Sequence, residues 1–125
     1  MNVEFYRCPI CGNVVYLLNG DGARLSCCSK PMEKLVAGSV EASKEKHIPS
    51  VKVQDGKVVV QVGDVIHPMV DEHYIGWIAA VSESSVDFRY LKSGDEPQAV
   101  FCNKDGAIKA VYAWCNLHGL WVKEL

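Results

Sequence analysis

Short apolar runs separated by turn-forming residues dominate the chain, a pattern typical of a protein built from β-strands. The runs at 51–53 and 57–62 flank Gln54-Asp55-Gly56, which predicts a β-hairpin. Further strands are predicted at 14–18, 24–26, 75–81, 86–91, 99–102, 108–114 and 120–122. No stretch has a helical period of useful length.

The larger, C-terminal part holds roughly seven of these short strands, spaced about ten residues apart. That spacing favours an antiparallel β-sandwich of immunoglobulin-like type, with a barrel as the alternative. The expected fold class is therefore all-β.

Composition excludes several classes of protein. The chain has 125 residues, 49% of them hydrophobic and 22% charged, with a net charge of −2. These values argue against disorder, and no basic run indicates nucleic-acid binding. No apolar run is long enough for a membrane helix, and the first residues lack an apolar signal core. We therefore expect a cytoplasmic protein with no membrane contact.

The cysteines and histidines divide the chain into two predicted domains. Residues 1–36 contain four of the six cysteines and no histidine, whereas residues 37–125 contain all four histidines with Cys102 and Cys115. A domain of 36 residues buries too little apolar surface to fold unaided, so a metal staple is expected there. In a reducing compartment, clustered cysteines more often bind metal than form disulfides.

The first domain carries a candidate metal site of four thiolates. Cys8-Pro9-Ile10-Cys11-Gly12 is a knuckle in which two cysteines reach one ion from a tight turn, and Cys27 and Cys28 supply two more ligands. Four thiolates suit a tetrahedral iron or zinc ion. The adjacent second pair departs from the usual two-residue spacing of a zinc ribbon, and a purely structural zinc clip remains an alternative.

The second domain carries a different candidate set. His47, His67, His73 and His118 lie next to turn residues, which places them in predicted loops, and Cys115-x-x-His118 brings a thiolate and an imidazole within reach of one ion. Four histidines and one cysteine exceed the four ligands that zinc prefers. Iron with an open sixth position fits better, and copper less well, since no methionine closely follows His118.

Taken together and in order, these motifs resemble the desulfoferrodoxin family, the two-domain form of superoxide reductase. The likeness covers essentially the whole chain. It rests on the cysteine set, with its adjacent pair, and on four histidine motifs: Glu45-Lys46-His47-x-Pro49, His67-Pro68-Met69, Glu72-His73-Tyr74-Ile75 and Cys115-Asn116-x-His118-Gly119-Leu120-Trp121.

The resemblance implies a desulforedoxin-like Fe(Cys)4 domain over 1–36 and a catalytic immunoglobulin-like domain over 37–125. It implies two irons per chain and no organic cofactor. The histidines would bind the second iron in one plane, His118 through Nδ1, with Cys115 on the axis opposite an open position. The implied activity is one-electron reduction of superoxide to hydrogen peroxide, with re-reduction by an external donor.

Two charged residues beside His47 are candidate catalytic residues. Lys46 would attract the superoxide anion and, by resemblance, help to deliver protons; Glu45 resembles the glutamate that occupies the open position of the oxidised iron. The resemblance also implies a homodimer and a rubredoxin-like electron donor.

Two alternatives remain open at this point. One is a non-catalytic two-iron electron-transfer protein, and the other is a zinc-stapled β-sandwich that serves as an interaction module. Cys102, in the predicted strand 99–102, is expected to be a buried structural thiol.

Overall fold

The structure is a computed structural model that describes residues 2–125. The described chain divides into two compact units, residues 2–36 and residues 37–125. No helix among the described residues is long and apolar enough to cross a membrane.

The first unit consists of two small antiparallel sheets. Strands β1, β2 and β5 form one sheet in the order β2-β1-β5, and β3 pairs with β4 in the other. A single-turn 3-10 helix, Gly22–Arg24, lies between β2 and β3. The strands are β1 Phe5–Arg7, β2 Val14–Tyr16, β3 Ser26–Cys27, β4 Lys30–Pro31 and β5 Glu33–Lys34.

Buried aromatic residues from β1 provide the apolar centre of this unit. Phe5 and Tyr6 are both buried, and the Phe5 ring packs against Tyr16 with ring centroids 5.3 Å apart. The Tyr6 hydroxyl lies directly against Gly22, where a Cβ atom would come within 2.0 Å of it. A unit this short buries little apolar surface, which agrees with the expectation that a metal ion stabilises its fold.

The second unit is an antiparallel β-sandwich preceded by one turn of helix, α1, Lys44–His47. One sheet has three strands in the order β10-β7-β6, and the other has four in the order β12-β11-β8-β9. The strands are β6 Pro49–Gln54, β7 Lys57–Val62, β8 Ile75–Ser82, β9 Val86–Tyr90, β10 Gln98–Cys102, β11 Ile108–Cys115 and β12 Gly119–Glu124.

The core lies between the two sheets. Alternate residues point inward along β7 and β10, so that Val58, Val60 and Phe101 are buried while their neighbours face outward. Along β11 a register shift between Ile108 and Ala110 resets this alternation. The strand therefore ends with Cys115 pointing into the core.

The predicted all-β fold class is confirmed, with a cysteine-rich unit followed by a β-sandwich rather than a barrel. The predicted hairpin is β6–β7, turning at Asp55 and Gly56. Sequence patterns missed the very short strands β1, β4 and β5 and the single helical turn α1.

The expectation for Cys102 was wrong, because this thiol is exposed. Ala99 and Phe101 face the core, and strand alternation puts Cys102 on the opposite side of β10.

Strand registers bring several loops together at one end of the sandwich. Pro49 at the start of β6 pairs with Val62 at the end of β7. Cys115 at the end of β11 pairs with Ile75 at the start of β8 and with Gly119 at the start of β12. The helix α1, the β7–β8 connection and the β11–β12 turn consequently meet at this end.

Candidate metal centres

The first candidate centre is built by two tight turns of the N-terminal unit. In the Cys8–Cys11 turn, the Gly12 N–H donates to the Cys8 carbonyl at 3.0 Å, and Gly12 has a φ of +78°. That φ favours glycine and accounts for the residue after the second cysteine. In the β3–β4 turn, Cys28 also has a positive φ, 52°. This backbone lets two adjacent cysteines face one point.

The spacing of the four sulfur atoms fits a tetrahedral ion. The candidate ligand atoms of Cys8, Cys11, Cys27 and Cys28 all lie within 4.8 Å of one another. Cys11 Sγ and Cys27 Sγ are 3.6 Å apart, and Cys27 Sγ and Cys28 Sγ are 3.9 Å apart. Four sulfurs about 2.3 Å from a central ion would be about 3.8 Å apart.

The protonation of these thiols also points to a cation. Backbone N–H groups of Cys11 and Ile10, each 3.4 Å from Cys8 Sγ, lower the pKa of Cys8 to about 6. Hydrogen bonds with the Cys11 and Cys8 side chains raise the pKa of Cys27 to about 12. Four thiolates this close are not all ionised without a positive ion among them, so the donor set fits a thiophilic metal.

The second candidate centre lies where the loops of the sandwich meet, and two of its histidines are held by their backbone surroundings. His47 ends α1, and its Nδ1 donates to the Ser43 carbonyl at 2.6 Å. His67 follows β7, and its Nδ1 donates to the Pro68 carbonyl at 2.7 Å. Both rings therefore turn Nε2 toward the centre, an arrangement common among metal-binding histidines.

The nitrogen-to-nitrogen distances in this centre fit histidines that bind one ion with a right angle between their bonds to it. His47 Nε2 is 3.1 Å from His67 Nε2 and also 3.1 Å from His118 Nδ1. Two nitrogens each about 2.1 Å from one ion are about 3.0 Å apart at right angles and about 3.4 Å apart in a tetrahedron. Among the described residues, the buried His73 Nε2 has no hydrogen-bond partner. A buried nitrogen without a hydrogen-bond partner is expected of a histidine that binds a metal ion through that atom.

The thiol of this centre is fully buried at the end of β11. Burial raises the pKa of Cys115, while the backbone N–H groups of His118 and Leu117 act in the opposite direction. The His118 N–H lies 3.4 Å from Cys115 Sγ. A nearby cation would be needed to keep this thiolate ionised.

The structure brings together all of the predicted second-site residues. The candidate ligand atoms of His47, His67, His73 and Cys115 lie within 4.8 Å of one another. His118 adjoins this group, with its Nδ1 3.9 Å from Cys115 Sγ. His47 lies in a helical turn rather than in the expected loop.

Burial favours the neutral form of three histidines of the centre. Burial lowers the pKa of His47 and of His73, and it lowers the pKa of His67 to about 4. Neutral imidazole is the form that binds metal. Lys46, half-buried in α1, also lowers the pKa of His47 and His73 through its charge, whereas the Glu45 side chain is exposed.

Sequence reasoning missed two residues that support the centre. Gly63 packs on α1, where a Cβ atom would lie 2.6 Å from the Glu45 carbonyl oxygen. Asn116, between Cys115 and His118, hydrogen-bonds to the backbone on both sides of His73. The sequence signal for Asn116 was its position beside Cys115, which by itself does not reveal such contacts, and Gly63 adjoins no candidate ligand in the sequence.

Comparisons with known proteins match both units. The family model described as desulfoferrodoxin matches residues 39–124, and the one described as desulfoferrodoxin, N-terminal domain, matches residues 1–35. A desulfoferrodoxin of Syntrophotalea carbinolica is 42% identical over 122 residues, covering 98% of this chain and 96% of the relative.

Two further relatives carry an activity in their names. The crystal structure of the superoxide reductase from Treponema pallidum superposes with a TM-score of 0.80 at 30% identity, covering 99% of this chain and all of the other (100%). A superoxide reductase of Pyrococcus horikoshii is 34% identical over 99 residues, covering 65% of this chain and 86% of the relative.

The four-cysteine group and the histidine-rich group match the two iron sites of desulfoferrodoxins. The matched models span both units, and the sequence likeness runs almost from end to end. The chain therefore belongs to the desulfoferrodoxin family.

Proposed function

We propose that this protein is a superoxide reductase, which reduces superoxide by one electron to hydrogen peroxide. The observation that carries the proposal is the convergence of four imidazoles and one buried thiol on one point. In that cluster two nitrogen pairs are 3.1 Å apart, and the His73 nitrogen has no partner among the described residues. The names of the relatives support the same activity.

We propose His47, His67, His73, His118 and Cys115 as the ligands of the catalytic iron. Five such ligands would leave room on an iron ion that accepts six, and a small anion could bind there. When bound, ferrous iron supplies the electron that superoxide accepts, and an external donor must then restore the ferrous state.

The proposed ligands divide two tasks. Neutral imidazoles, the form that burial favours at His47 and His67, would hold the ion without cancelling its charge, so the centre would keep a positive potential toward an anion. Cys115, as a thiolate, donates electron density from inside the core, and the His118 N–H 3.4 Å away moderates that donation.

Two residues of α1 are proposed to act on the substrate and on the open position of the iron. Lys46 places a positive charge close enough to act on His47 and His73, so it attracts superoxide and raises the encounter rate. It is also proposed to assist proton delivery. The exposed Glu45 is proposed to occupy the open position of the oxidised centre.

We propose that Cys8, Cys11, Cys27 and Cys28 hold the other iron, which makes the N-terminal unit a metal-stapled domain. This centre can transfer one electron, and it also supplies the stability that 35 residues cannot gain from burial. Residues 37–125 are proposed to form the catalytic domain.

The decisive experiment is a product measurement on the iron-loaded protein with superoxide and an electron donor. We expect about one peroxide for each superoxide consumed, because no second superoxide is oxidised. A ratio near one half, with oxygen evolved, would identify a dismutase instead.

Azide separates catalysis from electron transfer. Added to the ferric Glu45→Ala protein, in which the proposed carboxylate ligand is absent, it should change the visible spectrum, because an open position accepts a small anion. An unchanged spectrum would favour the non-catalytic two-iron electron-transfer protein. Metal analysis that finds zinc and no iron would instead favour an interaction module.

The proposed partners rest on the family resemblance, and the proposed setting rests on composition. We propose a rubredoxin-like electron donor, a homodimer and a cytoplasmic setting. Faster re-reduction of the ferric centre by reduced rubredoxin, and a mass in solution near twice 13.8 kDa, would support the first two.

A further inference from the structure

Asn116 joins two of the loops that form the histidine-rich centre. Its Oδ1 accepts a hydrogen bond from the Tyr74 N–H at 2.9 Å, and its Nδ2 donates to the Glu72 carbonyl at 3.0 Å. Its own N–H donates to the Tyr74 carbonyl at 3.2 Å. One short side chain thus holds the peptide groups on both sides of His73.

His73 needs such support more than its neighbours do. His47 and His67 each fix the ring through Nδ1, which donates to a backbone carbonyl. No hydrogen bond to the His73 ring is seen among residues 2–125, and its buried Nε2 has no partner there. The backbone of His73 is held locally by two 3.0 Å hydrogen bonds with Val70. The ring direction of His73 is therefore set through its main chain.

The chemistry of the contact is specific to asparagine. The Tyr74 N–H requires an acceptor and the Glu72 carbonyl requires a donor, and a side-chain amide offers both. Aspartate lacks the donor, glutamine is one methylene longer, and serine is too short to bridge both groups.

We propose that Asn116 is a positioning residue that fixes His73 relative to Cys115. Asn116 directly follows Cys115. A shift of the Asn116 side-chain amide therefore moves the loop that carries His73 relative to the Cys115 thiol. The amide takes the place of the ring hydrogen bond that His47 and His67 have, and it acts on the metal only through His73 and Cys115. This inference rests on the proposed ligand set but not on superoxide chemistry.

The test is a Co²⁺ titration of the full-length metal-free chain, followed through thiolate-to-cobalt absorption bands. The Cys115→Ser variant retains only the bands of the four-cysteine centre, so subtraction isolates the histidine-rich centre. We expect Asn116→Ala to weaken Co²⁺ binding at the histidine-rich centre about 10-fold or more and to shift its bands. Binding at the four-cysteine centre should stay the same.

Asn103 provides a matched control. Its Oδ1 accepts from the Ile108 N–H at 3.0 Å, and it is buried with 6% of its surface exposed. It supports the start of β11, about 23 Å from the Cys115 end at the usual rise per residue. Asn103→Ala should cost similar stability yet leave Co²⁺ binding and the bands unchanged.

Equal weakening by Asn103→Ala and Asn116→Ala would overturn the inference, because loss of general stability would then explain both. Binding by Asn116→Ala within 2-fold of the wild type would also overturn it. If Asn116→Ala does not fold, Asn116→Ser serves instead, with a smaller loss in the same direction expected and no loss counting against the inference. Failure of the wild-type histidine-rich centre to bind Co²⁺ would contradict the proposed function itself.

Discussion

Gly63 is a position where one added methyl group should disturb the proposed active site. It follows β7 and lies against the backbone of α1, the helical turn that carries Lys46 and His47. A Cβ atom at residue 63 would be 2.6 Å from the Glu45 carbonyl oxygen and 2.7 Å from the Ile48 carbonyl oxygen. Both obstacles are backbone atoms, so no side-chain rotation relieves the contact.

The size of the effect follows from these distances. A relaxed carbon-to-oxygen contact is about 3.3 Å, so α1 must move by about 0.7 Å in Gly63→Ala. Overpacking of this kind costs about 1–3 kcal/mol of unfolding free energy, which lowers the melting temperature by roughly 4–8 °C per kcal/mol. Misplacement by about 1 Å can cost about 100-fold in rate, so we expect the superoxide reaction to slow at least about 10-fold.

Stopped-flow measurement of superoxide consumption by the iron-loaded variant, together with thermal unfolding, checks this prediction. Gly106→Ala is the control, because Gly106 has a φ of +65° with no atom within 4 Å of the added Cβ. It should cost about 1–2 kcal/mol through backbone strain alone and leave the rate intact. A wild-type rate in Gly63→Ala, or an equal loss of rate in the control, would refute the reasoning.

Three further predictions concern the proposed ligands and charges. Cys115→Ser should abolish the thiolate-to-iron charge-transfer band of the histidine-rich centre and leave the spectrum of the Cys8 centre intact; survival of the band would mean that another thiolate is the ligand. Lys46→Ala should slow superoxide capture more at 0.01 M salt, where the Debye length is about 30 Å, than at 0.15 M salt, where it is about 8 Å. Lys52→Ala on β6 is the control. A loss of rate that does not depend on salt would exclude electrostatic steering. Removal of metal should abolish hydrogen-exchange protection in β1 and β2 while the core of β8 and β11 stays protected; persistent protection in β1 would show that the cysteine centre is no staple.

Sequence patterns were most informative for the larger strands. The segment 57–62 has valine at every core-facing position of β7, and Asp55-Gly56 supplies a turn that fixes its pairing with β6. The very short strands β4 and β5 show no period at all, because two residues cannot display one.

The candidate centres were predictable to different depths. Residue type and spacing were enough to select the cysteine and histidine sets that the structure brings together. The supporting contacts of Gly63 and Asn116 were not, since they depend on which backbone atoms happen to lie nearby after folding. For the same reason Cys102 was assigned to the wrong face, because its position depends on the register of β10 against β7.

The nitrogen contact between His47 and His118 joins points 71 residues apart along the chain. An ion bound there would tie the chain into a closed loop, as a disulfide does, and closing a loop of this length restricts the unfolded chain by about 4 kcal/mol. Unlike a disulfide, this tether would be released whenever the ion leaves. Loss of the metal would therefore lower the unfolding free energy of the sandwich, while its core strands stay folded, as well as stop its chemistry.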